Sequence, residues 1–189
     1  MLDRVRGKLS SYLASLGRTF ARVAKFPTVW TFVGLVLAVL AGFAYTATGS
    51  AGALVGGLLI LLSGFFDIVD GAVARVTGRV SKKGAFLDST MDRLAEVAIF
   101  LGLLEGGYSS GAWVILALSL SLLVSYTRAK ADSLGVSLSG IGIGERSERL
   151  LVLAVASVFG LVSWGVIVVA IIAGFTFVER VYRATGSLP

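Results

Sequence analysis

The sequence predicts an all-α integral membrane protein, with six transmembrane helices preceded by an N-terminal amphipathic interfacial helix. Three observations carry that expectation. The 189 residues are 56% hydrophobic and only 15% charged, against roughly a quarter charged in an average soluble chain. Their mean hydropathy is +0.91. The 17 Lys and Arg residues gather in short clusters between long apolar runs. Such a composition excludes a disordered chain, a collagen and a disulfide framework. With no Cys and no His in the sequence, thiol nucleophiles, zinc sites, His-ligated haem and a Ser-His-Asp triad are excluded too. Carboxylates, Lys/Arg, hydroxyls and backbone are left to do any chemistry.

Residues 1–26 make the first element, a juxtamembrane helix. Within 1–25, six Lys/Arg stand against one Asp, and Leu2, Val5, Leu9, Leu13, Leu16, Phe20 and Val23 recur at three- and four-residue steps. One apolar face on a basic helix suits the cytoplasmic membrane interface. A nucleic-acid-binding arm would leave that face unused, so no nucleic acid is expected as a partner. Pro27 ends the helix, and residues 27–189 form one six-helix transmembrane domain.

A crossing takes about 20 mostly apolar residues. Apolar runs cover 30–46, 51–66, 94–104, 112–126 and 150–178. The last is too long for one crossing and is interrupted at Phe159-Gly160 and Ser163-Trp164-Gly165, so it divides into two helices. The short second run can continue as helix through Asp67, Gly71 and Arg75. The third can begin near Gly84, with the polar stretch 77–83 as the turn between them. Charge placement tests this count. Connections 47–50, 105–111 and 160–165 hold no Lys or Arg, so six crossings put every basic cluster on one side. That side is cytoplasmic, and a multi-pass cell-membrane protein with both termini inside follows.

Asp67, Asp70, Asp88 and Asp92 sit in or beside these apolar helices, where an ionisable group is costly and marks a functional site by default. Asp67, Asp70, Gly71 and Ala74 share one helical face, as do Gly84, Asp88 and Asp92. Small residues at 71, 74 and 84 would let the two backbones approach closely. Four carboxylates in one poorly hydrated space need about four positive charges. Two divalent cations supply them, and oxygen-only ligands favour Mg²⁺, Mn²⁺ or Ca²⁺ over zinc. Paired metals of this kind clamp a phosphoryl group and steady both its entering and leaving oxygens. The alternative is a set of helix-end carboxylates paired with nearby Lys/Arg.

The stretch Asp67-Ile-Val-Asp70-Gly71-Ala-Val-Ala74-Arg75, followed by eight residues, Gly84, three residues, Asp88, three residues and Asp92, resembles the complete signature of the CDP-alcohol phosphotransferase family. All eight specified residues match at the family's spacing. The resemblance implies six membrane helices after an interfacial one, and transfer of a substituted phosphoryl group from a CDP-linked lipid to an alcohol, with release of CMP. The lipid phosphate would be phosphatidyl or archaetidyl. It also implies that Asp67, Asp70 and Asp88 hold two divalent cations, Mg²⁺ or else Mn²⁺. Asp92 would complete the metal site and act as the base for the acceptor hydroxyl. Gly71 and Arg75 would contact the CDP moiety, and Ser81 would reach the diphosphate. Pro27-Thr28-Val29-Trp30-Thr31 stands where relatives often read Pro-Asn-x-x-Thr, part of a cytidine pocket, although the same residues suit a plain helix start. Relatives form dimers, which implies a homodimer here.

Two further segments bear on the acceptor. Ser125-Tyr126-Thr127-Arg128-Ala129-Lys130-Ala131 and Gly144-Glu145-Arg146-Ser147-Glu148-Arg149-Leu150 resemble the inositol-phosphate-binding segments of phosphatidylinositol-phosphate synthases in that family. By that resemblance Arg128, Arg149 and Arg180 form a pocket for the acceptor's phosphate, a task suited to planar guanidinium forks. Positive-inside topology alone would also place cations there. Residues 134–144, rich in Gly and Ser, are either a flexible loop over the acceptor site or an ordinary connector. Glycerol 3-phosphate or serine is the alternative acceptor within the family, as in phosphatidylglycerophosphate and phosphatidylserine synthases. A cation channel or transporter is the alternative of another class, though its carboxylates would be expected at the midplane rather than near the cytoplasmic helix ends.

Overall fold

The computed structural model describes residues 2–138 and 140–188, with side chains from residue 11 onward. Seven helices account for most of them: α1 (Leu2–Val23), α2 (Pro27–Thr46), α3 (Ser50–Thr77), α4 (Lys82–Glu105), α5 (Gly111–Ser133), α6 (Arg146–Val158) and α7 (Val162–Ser187). No strand occurs among the described residues.

Local chemistry sets the helix ends. Pro27 opens α2 at a position where its missing N–H costs nothing. Gly78 closes α3 in the left-handed conformation, φ 66°, which a side-chain-bearing residue rarely adopts. The Ser81 hydroxyl then caps α4 by accepting the Gly84 N–H at 3.0 Å. The apolar run 150–178 divides at residues 159–161. Ser163-Trp164-Gly165 makes no second break but lies in the first turn of α7, where small residues fit a helix start as well as a turn.

Four helices, α2, α3, α5 and α7, are long and apolar enough to cross a membrane. Of the six helices expected to cross, α4 and α6 fall short, for different reasons. Helix α4 carries Asp88, Asp92, Arg93 and Glu96 along its length. Helix α6 has 13 residues, about 20 Å at 1.5 Å per residue. Large apolar side chains such as Phe32, Val36 and Phe43 on α2, Leu58 on α3 and Ile171 and Phe175 on α7 stand exposed on the outside of the bundle. Apolar outward faces on several such helices are those of a multi-pass membrane protein.

One core joins α2 to α7, through residues such as Ala41 and Tyr45 of α2, Ile60 of α3, Ile99 and Leu103 of α4, Leu153 of α6 and Val166 of α7. Helix α2 is its centre, packed on α3 along one side and on α4 along the other. The second seam is tight: a Cβ on Gly102 would collide with the backbone of Gly42. Helix α1 lies on α3, where Leu16, Phe20 and Ala21 pack around Trp30, Val69 and Val73. Trp30 stacks on Phe66 with ring centroids 5.7 Å apart. Val23, expected on the apolar face of α1, is exposed, because the helix ends there and the chain turns away. The side chains of Leu2, Val5 and Leu9 lie outside the described residues.

Helices α3 and α4, expected to approach closely at Gly71, Ala74 and Gly84, form no extended packing seam among the described residues. Those three small residues line an open cleft instead. At the opposite end of the bundle, the Tyr108 hydroxyl donates to the carbonyls of Ala47 (2.9 Å) and Gly49 (2.8 Å). Ser163 bonds Ser109 there at 3.2 Å. The three connections that lack Lys and Arg therefore meet at one end.

Candidate active site

The carboxylates gather where α3 and α4 diverge. One ligand oxygen from each of Asp67, Asp70 and Asp88 lies within 4.8 Å of the others. Their spacing on α3, three residues apart, turns both side chains to the face opposite α4's Asp88. Asp70 is fixed by the Thr31 hydroxyl, which donates to its Oδ2 at 2.9 Å. Asp88 Oδ1 is buried and accepts no hydrogen bond among the described residues. Three carboxylates with an unanswered buried oxygen fit a hard divalent cation held by oxygen donors. Asp92 stands beside the trio rather than in it. Its Oδ1 is held by Arg146 at 2.7 Å and its Oδ2 lies 3.4 Å from Arg93.

Two cavities flank this cluster. The first, about 280 Å³, is lined by Thr28, Thr31, Asp70, Gly71, Arg75, Arg79, Ser81 and Asp88 among others. Five of the seven residues expected around CDP thus share one space. Val29 and Trp30 do not line it. Val29 faces outward along an apolar groove with Phe32 and Val36, and Trp30 is buried against α1 and α3 with its indole N–H donating to the Ala24 carbonyl at 3.1 Å. Along a helix beginning at Pro27, the residues at 28 and 31 share a face while 29 and 30 point elsewhere.

The second cavity, about 410 Å³, is lined by Asp67, Asp92, Arg93, Arg128, Asp132, Glu145, Arg146, Arg149 and Arg180 among others. The three arginines picked from the sequence do converge here, each already engaged. Arg149 is 1% exposed and donates to Glu96, itself 0% exposed, at 2.7 Å and to the Gly144 carbonyl at 2.5 Å. Arg180 donates to the carbonyls of Ile141 and Val124, both at 3.0 Å. Its Nη2 lies 3.7 Å from Glu145, which also meets Arg128 at 3.4 Å. The segment before α6 helps to build this wall. Val136, Leu138 and Ile141 pack on Ala131 and Ala184, so apolar side chains anchor it, and Ser139 is outside the described residues.

Sequence reasoning missed Glu96 and gave no role to Glu145 and Arg146, although both lie in the segment quoted for its resemblance to an inositol-phosphate-binding one. An acid four residues beyond Asp92 in an apolar helix was a signal for Glu96. For Arg146 the individual role was hidden because in a basic loop a cation looks like topology, and for Glu145 because its partners Arg128 and Arg180 are remote in the chain.

A helical membrane bundle whose carboxylate cluster divides a hydroxyl- and arginine-lined cleft from an arginine-rich cavity defines a membrane enzyme of phosphoryl chemistry. The chain belongs to the CDP-alcohol phosphatidyltransferase family, whose model matches residues 24–178. It is 38% identical over 184 residues to the archaetidylinositol phosphate synthase of Pyrococcus horikoshii, covering 97% of this chain and 96% of that one. Its fold is similar to the crystal structure of Mycobacterium tuberculosis phosphatidylinositol phosphate synthase with CDP-DAG bound. There the TM-score is 0.78 and the identity 26%, over 91% of this chain and 92% of the other. The same protein in complex with manganese and citrate matches with a TM-score of 0.79 at 26% identity, over 92% and 88%.

Proposed function

We propose that this chain transfers the lipid phosphate of a CDP-linked lipid to inositol phosphate and releases CMP. One observation carries the reading: the carboxylates are shared between the two cavities, Asp70 and Asp88 lining the first and Asp67 and Asp92 the second. A donor in one and an acceptor in the other would meet at the cluster. The names of the similar proteins, archaetidylinositol and phosphatidylinositol phosphate synthases, favour inositol phosphate over glycerol 3-phosphate or serine.

In this reading Asp67, Asp70 and Asp88 hold two divalent cations, with Mg²⁺ preferred and Asp92 at the edge of the site. Bound there, the metal offsets the carboxylate charge and polarises the diphosphate. Thr28, Thr31, Gly71, Arg75 and Ser81 seat the CDP moiety. Arg128, Arg149 and Arg180 orient the acceptor by its phosphate. Asp92 takes the proton of the acceptor hydroxyl. That oxygen bonds to the lipid-bearing phosphorus, the bond from this phosphorus to the oxygen shared with CMP breaks, and CMP leaves with the electron pair. Helices α2 to α7 all cross the bilayer, α1 lies in the interface, and the site and both termini face the cytoplasm. The gathering of the cation-free connections at the other end supports this orientation. The short α6 is accommodated because the preceding segment is packed into the protein, where non-helical backbone is tolerated at membrane depth.

Purified protein, given CDP-lipid and a panel of alcohols, should release CMP with inositol phosphate and not with free inositol. A chelator or Asp88→Asn should reduce release to background. Glycerol 3-phosphate turnover at or above the inositol phosphate rate would make the chain a phosphatidylglycerophosphate-type synthase instead.

A further inference from the structure

Arg146 occupies a position that the proposed reaction does not yet use. It is the first residue of α6, and its guanidinium reaches across to both acidic helices. Nη1 lies 2.7 Å from Asp92 Oδ1 on α4 and 3.5 Å from Asp67 Oδ2 on α3. The Arg146 and Asp92 side chains are 15% and 19% exposed, so solvent screening dilutes their contact less than it would on a surface. Asp67, Asp92 and Arg146 together line the arginine-rich cavity and also a narrow space that reaches Thr31 and Asp70. Arg146 therefore stands in the wall between the acceptor side and the metal-ligand trio. Its Nε is buried and makes no hydrogen bond among the described residues.

We propose that Arg146 is a positioning residue that fixes the Asp92 carboxylate on the acceptor side of the cluster, one guanidinium nitrogen bridging Asp92 and Asp67. The inference rests on the function proposed above, with Asp92 as the base. A carboxylate among three others of like charge is pushed away from them and has no fixed rotamer of its own. A guanidinium that grips one of its oxygens supplies the fixed point, leaving the other oxygen for the acceptor hydroxyl. Arg93 does not duplicate this contact: it follows Asp92 in the chain, reaches Oδ2 only at 3.4 Å and gives its closer bond, 2.8 Å, to the Ser89 carbonyl. The neighbouring Glu145 faces the other way, toward Arg128 and Arg180. Residues 145 and 146 thus tie the start of α6 to the basic and the acidic sides of the site at once.

Misplacing a reacting group by about 1 Å can cost on the order of 100-fold in rate, so Arg146→Gln should lower kcat by roughly that factor. The KM values for CDP-lipid and acceptor should change by less than about three-fold, since neither substrate is bound through Arg146. Arg146→Lys, which keeps a cation able to reach one oxygen, should recover about ten-fold of the loss. Mn²⁺ binding, read by electron paramagnetic resonance on the full protein without substrates, should be as tight in Arg146→Gln as in the wild type, or tighter, because a cation beside Asp67 has gone. A wild-type kcat in Arg146→Gln would overturn the proposal. So would loss of Mn²⁺ binding in both variants, which marks a structural role. A rise in acceptor KM with kcat unchanged would overturn it as well, by making Arg146 a ligand of the acceptor. A wild-type protein that releases no CMP from CDP-lipid with any alcohol would sink the underlying reaction, and the proposal with it.

Discussion

Arg149 and Glu96 form a pair of buried charges behind the wall of the second cavity, 1% and 0% exposed and 2.7 Å apart. Removing one partner of such a pair leaves the other charge buried without an answer, at a cost of about 3–5 kcal/mol. Glu96→Leu should therefore lower the unfolding free energy by that amount, measured by denaturant titration in detergent. Adding Arg149→Met should restore much of the loss, because an apolar pair of similar volume fills the same space. A neutral Glu96→Leu would show that the pair carries no net weight. The same residues mark the boundary of what could be read from the sequence. Asp67, Asp70 and Asp88 were legible because helical spacing alone puts them on facing stripes. Arg146 with Asp92, and Glu96 with Arg149, meet across 54 and 53 positions of chain, and no local pattern encodes such a meeting.

Helix ends were legible where one residue settles the matter, as Pro27, Gly78 and Ser81 do. Helix contacts were less so. Small residues at 71, 74 and 84 suggested a tight seam between α3 and α4, yet a tight seam runs instead between α2 and α4 at Gly42 and Gly102. A glycine's lack of a side chain serves a ligand cleft as well as a helix contact, and only the fold decides which. The seam is testable. Gly102→Leu must force α4 off α2, and overpacking of this kind costs about 1–3 kcal/mol. Because α4 carries Asp88 and Asp92, the variant should also lose CMP release more steeply than it loses thermal stability. A variant with normal activity and melting temperature would mean that the seam can open freely.

Across the whole molecule, the Lys and Arg residues gather at one end, and the three connections at the other hold none. The proposed orientation places Ser50 and Ser109 outside and Lys83 inside. In a chain without native cysteine, Ser50→Cys and Ser109→Cys should react with a membrane-impermeant thiol reagent added to intact cells, whereas Lys83→Cys should react only after permeabilisation. Labelling of Lys83→Cys from outside would invert the topology. Between the two ends lies an apolar layer that includes Ala38, Ala41, Ile99, Phe100 and Leu153, each 0–1% exposed. Beyond it sit the Tyr45–Ser157 hydrogen bond of 2.6 Å and the Tyr108 contacts that tie the far connections together. A charged species leaving the carboxylate cluster toward that end would have to shed its hydration in a region with almost no polar partners. The polar basin is consequently a cul-de-sac. On the proposed function, head groups would enter and CMP would depart through the same mouth, and an energised membrane would keep its ion gradients while a vestibule of acids and arginines works within its thickness.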